Sequence, residues 1–104
     1  MTSQTAPMVM TTLEARVEVD NWHLIRDEYR IAIQTPEPGM VASYLVQMRN
    51  DSGVWRIVTL WRDAEALAAM RATGTPRGVM VFRSAGAEPT LLVADVAVRT
   101  GDVA

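Results

Sequence analysis

Three side chains of this sequence have the chemistry to hold a flat aromatic small molecule: Trp61, Tyr44 and Arg83. An indole face stacks on an aromatic ring, a phenol hydroxyl gives or takes a hydrogen bond, and a guanidinium steadies an anion. Trp61 closes a strand-like run inside "GVWRIVTLWRDAEALAAMRATG", residues 53–74, where Trp55 stands six residues before it. On a strand the two share a face by parity and lie about 20 Å apart at roughly 3.4 Å per residue. They bracket a layer and do not touch. Each candidate also has a plain structural role open to it. Trp22, Trp55 and Trp61 can be core anchors, Tyr29 can be helix packing, and Arg83 can be a solvated surface cation. Met10, Met40, Met48, Met70 and Met80 can line an adaptable apolar pocket or fill the core.

Other chemistries are excluded by what the chain lacks. It has no Cys, so disulfides, thiolate nucleophiles and Cys-bound metals are impossible. All ten cations are Arg, which removes any Lys Schiff base or Lys general base. His23 is the only histidine, and its helical neighbours Arg26, Asp27 and Arg30 place it on a polar face. No His/Asp/Glu set has metal-ligand spacing and no glycine loop could cradle a phosphate, so neither metal nor cofactor is expected. A net charge of −2 with interspersed signs carries no nucleic-acid footprint. No apolar run has the roughly 18–20 residues of a membrane span, and "MTSQTAPMVM" does not read as a signal peptide. A soluble, cytoplasmic protein without nucleic-acid or membrane partners is the expectation.

The elements that must position these residues follow from periodicity. Residues 1–7 read as a flexible polar tail, 8–99 as one domain and 100–104 as a C-terminal tail. Val9, Thr11, Leu13, Ala15, Val17 and Val19 alternate with Met10, Thr12, Glu14, Arg16 and Glu18, the strand period. Asp20 or Asn21 caps a helix whose stripe is Trp22, Ile25, Tyr29, Ala32 and Ile33, and "TPEPG" stops it. Met40 to Arg49 is a second strand, with Met40, Ala42, Tyr44, Val46 and Met48 on the face toward the helices. "NDSG" turns the chain, with Gly53 available for positive φ, into a third strand over Val54 to Trp61. Asp63 caps "AEALAAMRA", Gly74 ends it, and Thr75-Pro76 opens a short helix over 76–85. Thr90 to Arg99 is the fourth strand.

This order, with right-handed crossovers, predicts an α+β ferredoxin-like βαββαβ domain: a four-stranded antiparallel sheet with both main helices on one face. Strand-three parity puts Trp55, Ile57, Thr59 and Trp61 under the helices. Val54, Arg56, Val58 and Leu60 then join the even residues of strand one on the bare face, with Asp95 a candidate member. A sheet face that apolar is covered by something, and a second copy about a two-fold axis would bury it and pair its charges. A homodimer through the sheet face is therefore expected, the alternative being a monomer with an amphipathic sheet.

The order and punctuation resemble the antibiotic biosynthesis monooxygenase-like, dimeric α/β-barrel superfamily. The carrying stretches are "PGMVASYLVQMRND", "WRIVTLWRDAEALAAMRAT" and "GAEPTLLVADV". The resemblance spans about residues 8–99 and implies a pocket between the sheet and the helices, used in relatives by cofactor-free quinone-forming monooxygenases and by haem degraders. Haem degraders of this kind show an Asn on strand one, a Trp closing strand three and a His on the next helix. Trp61 matches the Trp, but Thr12 and Glu14 stand near the Asn position and residues 64–73 contain no His. Haem degradation is not expected.

The function expected is that of a cofactor-independent monooxygenase acting on a flat phenolic or quinol-type molecule. Trp61 would stack, Tyr44 would hydrogen-bond, Arg83 would stabilise negative charge, and a cavity of about 300 Å³ or more would open beside Trp61. A non-catalytic ligand-binding or stress-associated dimer of the same fold is the alternative, marked by a fully packed helix–sheet layer. An isomerase or lyase would need an acid–base pair in the pocket, whereas Glu14 and Asp95 are expected to face the dimer interface.

Overall fold

The structure, a computed structural model, describes residues 7–101. Most of the tails expected at 1–7 and 100–104 lies outside the described residues. The elements are β1 (Val9–Arg16), α1 (Trp22–Ala32), β2 (Met40–Gln47), β3 (Val54–Trp61), α2 (Ala64–Ala72), α3 (Arg77–Ser84) and β4 (Thr90–Asp95). They build one antiparallel sheet in the order β2-β3-β1-β4. The α+β ferredoxin-like architecture is the one the sequence predicts. β1, β2 and β4 are shorter than the expected segments, and a 3₁₀ turn at Val19–Asn21 leads into α1.

Alternation on the two central strands settles which face is covered. Val9, Thr11, Leu13 and Ala15 of β1 are buried under the helices, as are Trp55, Ile57, Thr59 and Trp61 of β3. The intervening residues, Met10, Thr12 and Glu14 with Val54, Arg56, Val58 and Leu60, are half-buried on the other face. No helix is long and apolar enough to cross a membrane among the described residues.

The helix ends follow local chemistry. Asp63 accepts from the Ala66 N–H at 2.8 Å and caps α2. That hydrogen bond above all holds its carboxyl below the ordinary value, with Arg62 helping. Asn21 stands at the N-cap of α1 but does not cap it with its side chain. Its amide instead donates to the Ala85 carbonyl at 3.1 Å and ties α1 to the end of α3. Gly74 and Gly86 follow α2 and α3 in the left-handed region, where a helix C′ residue belongs. Gly53 of the hairpin does not have positive φ. Gly39 does, at +84°, and a Cβ there would lie 2.4 Å from the Ala66 Cβ.

The core has two parts. One gathers Leu13, Ile25, Trp55, Ile57, Val81 and Phe82 between α1, α3 and the sheet. The other, under α2, gathers Val9, Trp61, Leu67 and Met70, with Met40 against it.

Candidate functional site

The seam between these two clusters is open. A cavity of about 140 Å³ lies there, walled by Leu13, Ile57 and Val81 of the first cluster and Trp61, Leu67 and Met70 of the second. That is under half the volume expected. An apolar cavity of about 150 Å³ holds benzene, so this one is scaled to a single ring.

Strand pairing builds the floor of the cavity. Ser43 opposes Thr59 across β2 and β3, and Thr59 opposes Thr11 across β3 and β1. All three line the cavity, so a row of hydroxyls crosses an otherwise apolar surface. The Tyr29 hydroxyl on α1 donates to Ser43 Oγ at 2.8 Å, and Ser43 Oγ lies 3.2 Å from Thr59 Oγ1. Trp61, diagonal to Thr11 on the sheet, donates its indole N–H to Thr11 Oγ1 at 3.0 Å. This bond fixes the plane of the indole that forms one wall.

Three proline-containing loops, contributing Pro36, Pro76 and Pro89, frame the mouth. Glu37, from the loop before β2, forms an ion pair with Arg77, its Oε1 3.2 Å from Nε, and Arg77 donates a hydrogen bond to the Thr35 carbonyl. Arg71 of α2 lines the same opening. Two guanidiniums against one carboxylate leave the mouth with surplus positive charge. Among the described residues that line the cavity, Glu37 is the only carboxylate and there is no histidine.

The structure brings together only part of the sequence-derived set. Trp61 is buried and borders the cavity. Tyr44 does not reach it: a bulge between Met40 and Ala42 shifts the register of β2, so Tyr44 opposes Val58 on the face away from the helices and is 52% exposed. Ala42 and Val46 go with it, while Ser43 and Leu45 take the inner side. Arg83 is likewise displaced. It points from α3 to a two-bonded pair with Glu88, at 2.9 and 3.1 Å, which raises the guanidinium above its ordinary value and lowers the carboxyl. It does not line the cavity.

Other residues sort in the same way. Of the methionines, Met40 and Met70 line the cavity. His23 is exposed on α1. Asp95 opposes Val9 and so shares the helix side of the sheet, not the bare face. Glu14 is on the bare face and pairs with Arg56 of its own chain at 2.6 Å, where pairing across an interface was expected. Among the described residues no group of three or more His, Asp or Glu could hold a metal ion.

Thr11, Thr59, Ser43, Arg77 and Glu37 were not singled out from the sequence. The signal for the two threonines was present: each is a hydroxyl residue within a run of apolar side chains on a buried face. Ser43 was hidden by the bulge, and Arg77 by its place at the start of a helix where any cation looks solvated.

Fold and cavity define a ferredoxin-like α+β domain with a single-ring pocket between sheet and helices. The antibiotic biosynthesis monooxygenase family model matches residues 8–77, more than half of the chain, and the chain belongs to that family. No curated protein matches it. Among solved structures it is similar to a candidate antibiotic biosynthesis monooxygenase from Nitrosomonas europaea, at 16% identity and a TM-score of 0.70, covering 96% of this chain and 100% of that one. A Caulobacter crescentus protein described in the same terms has 16% identity and a TM-score of 0.68, covering 90% and 93%. SnoaB, a cofactor-independent oxygenase from Streptomyces nogalater, has 17% identity and a TM-score of 0.57, covering 92% and 97%. At these identities the likeness is one of fold.

Proposed function

We propose that this protein is a cofactor-independent monooxygenase that oxidises a single-ring phenol or dihydroquinone, or one ring of a larger flat molecule. The observation that carries the reading is the apolar cavity behind Trp61, floored by hydroxyls and entered past Arg71 and Arg77. SnoaB, a protein of like fold, supports it by its description as a cofactor-independent oxygenase.

The chemistry asks little of the protein. A deprotonated phenol or dihydroquinone is electron-rich enough to pass electrons to O2 directly. One oxygen atom enters the ring, the other leaves as water, and the substrate supplies all four electrons while losing two hydrogens. What the chain contributes is orientation, exclusion of water and stabilisation of the anion. Trp61 holds the ring plane, Leu67, Met70 and Ile57 keep the cavity dry, and the mouth arginines favour an anionic substrate. Arg77 and Arg71 thus take the part expected of Arg83, and the floor hydroxyls that of Tyr44. The bare sheet face is closed in this reading by a second copy of the chain.

Oxygen uptake with hydroquinone and methylhydroquinone, in metal-chelated buffer and without added cofactor, tests the proposal. The expected result is uptake above the autoxidation background that is lost in Trp61→Ala protein that still folds. Uptake equal to background across such single-ring substrates, or full activity in that variant, would overturn it.

A further inference from the structure

The hydroxyls of the cavity floor carry more hydrogens than they have acceptors among the described residues. An indole N–H only donates, so Thr11 Oγ1 is the acceptor in its 3.0 Å bond to Trp61 and keeps its own hydrogen. Among the described residues that hydrogen has no acceptor. Tyr29 likewise donates into Ser43, so the Ser43–Thr59 pair holds two hydroxyl hydrogens and only one contact between them to fill. One hydrogen is left over. With Ser43 donating onward, it falls on Thr59, which lines the cavity and is only 5% exposed. Thr11 and Thr59 are direct cross-strand partners on one face, so their Cβ atoms stand about 4.5–5.5 Å apart. Two donors with hydrogens to spare, side by side in an apolar chamber, match a single oxygen that only accepts.

We propose that Thr11 and Thr59 form a two-hydroxyl cradle for the ionised oxygen of a phenol whose ring lies against Trp61. The inference rests on the reading of the cavity as a phenol site and assigns its oxygen subsite. When Ser43 donates to Thr59, the chain Tyr29→Ser43→Thr59 runs one way, so each bond polarises the next and strengthens the terminal donor. Such donors favour the charged form of the bound group. The charged and titratable side chains around that oxygen are Tyr29 from α1, Glu37 from the loop before β2, Arg71 from α2 and Arg77 from α3. Glu37 is already paired with Arg77. The arginines could favour an anion from the mouth, so the test must separate them from the floor.

4-Nitrophenol is a suitable probe, because it fills one ring, ionises near neutral pH and changes colour when it does. Its binding is followed by quenching of tryptophan fluorescence, and the ionisation of the bound probe by absorbance across pH. The wild-type protein should bind the phenolate about tenfold more tightly than the phenol, which appears as a bound ionisation about one pH unit lower. Thr59→Val, nearly isosteric but without the hydroxyl, should still bind the neutral probe and lose that preference, and Thr59→Ser should restore it. Thr11→Val tests the partner hydroxyl, with a thermal melt confirming that the fold survives the loss of the Trp61 contact. A preference that persists in folded Thr59→Val, or that vanishes only when Arg71→Gln and Arg77→Gln are combined, overturns the cradle. Binding without any preference for the anion overturns it too, while leaving the cavity reading intact. Failure of the probe to bind at either extreme of pH removes both.

Discussion

The indole of Trp61 is anchored through its N–H to Thr11 Oγ1 at 3.0 Å, whereas the equally buried indole of Trp55 has no partner for its N–H among the described residues. The two rings sit on the same face of one strand, yet their polar ends meet opposite fates. Trp55 is held without a hydrogen bond, edge-on to Trp22 with centroids 5.9 Å apart and under the Arg26 guanidinium. Replacing each by Phe separates these cases. Trp61→Phe loses packing and a hydrogen bond of about 1 kcal/mol, while Trp55→Phe loses packing and sheds a donor whose burial costs about 1–3 kcal/mol. Urea unfolding should therefore show Trp55→Phe at least about 1 kcal/mol less destabilised than Trp61→Phe. The reverse order would mean that the Trp55 N–H is bonded after all.

How much of this was legible in the letters depended on whether alternation stayed in phase. On β1 and β3 it did, and every inner and outer residue from Val9 to Arg16 and from Val54 to Trp61 could be assigned without coordinates. On β2 the bulge between Met40 and Ala42 reversed the phase, and nothing in "MVASYLVQ" announces it, because both faces carry apolar residues. Tyr44 was thereby sent to the wrong side and Ser43 overlooked. Arg83 failed for a different reason: its partner Glu88 lies beyond the helix end, and only the turn at Gly86 brings the two together. The cavity itself, a gap between two core clusters, is a property of packing that no local pattern encodes.

Gly39 sits where the chain leaves the mouth loop and enters β2. Its φ of +84° suits glycine, and an added Cβ would lie 2.4 Å from the Ala66 Cβ, on the buried face of α2. Gly39→Ala combines left-handed strain of about 1–2 kcal/mol with a clash that neither backbone can relieve cheaply. The expected loss is about 2–4 kcal/mol, seen as a lower urea midpoint with an unchanged slope. Gly74→Ala, also at positive φ but with open space around it, should cost less, and equal losses would show that the contact with Ala66 contributes nothing.

The Asp63 cap predicts an acid-sensitive term. Its carboxyl titrates below the ordinary carboxylate value in the fold, chiefly because the Ala66 N–H binds the charged form. Such a group stabilises fully above its unfolded value, about 3.9, and loses that contribution as pH falls through the lower folded value. Asp63→Asn still caps but does not titrate. Its Tm should run below wild type at pH 7 and converge with it by about pH 2–3. Parallel Tm curves through that range would show that the cap is indifferent to charge.

The bare face of the sheet is the last element that demands a partner. Met10, Val58, Leu60 and Leu92 face away from the helices beside Tyr44, and Leu92 is 69% exposed. The charges among them are already satisfied at home, since Glu14 and Arg56 pair within the chain, so the face is close to neutral as well as apolar. A two-fold copy laid sheet to sheet would bury these side chains without stranding a charge. Val58 stands near the middle of that face, on a central strand. Val58→Asp would set a carboxylate against the apolar face of its twin. Sedimentation equilibrium should give twice the chain mass for wild type and the single mass for Val58→Asp. The variant should keep its far-UV spectrum, because residue 58 touches neither core cluster. A wild-type monomer at tens of micromolar, or a dimer undisturbed by the new charge, would rule out this face as the contact.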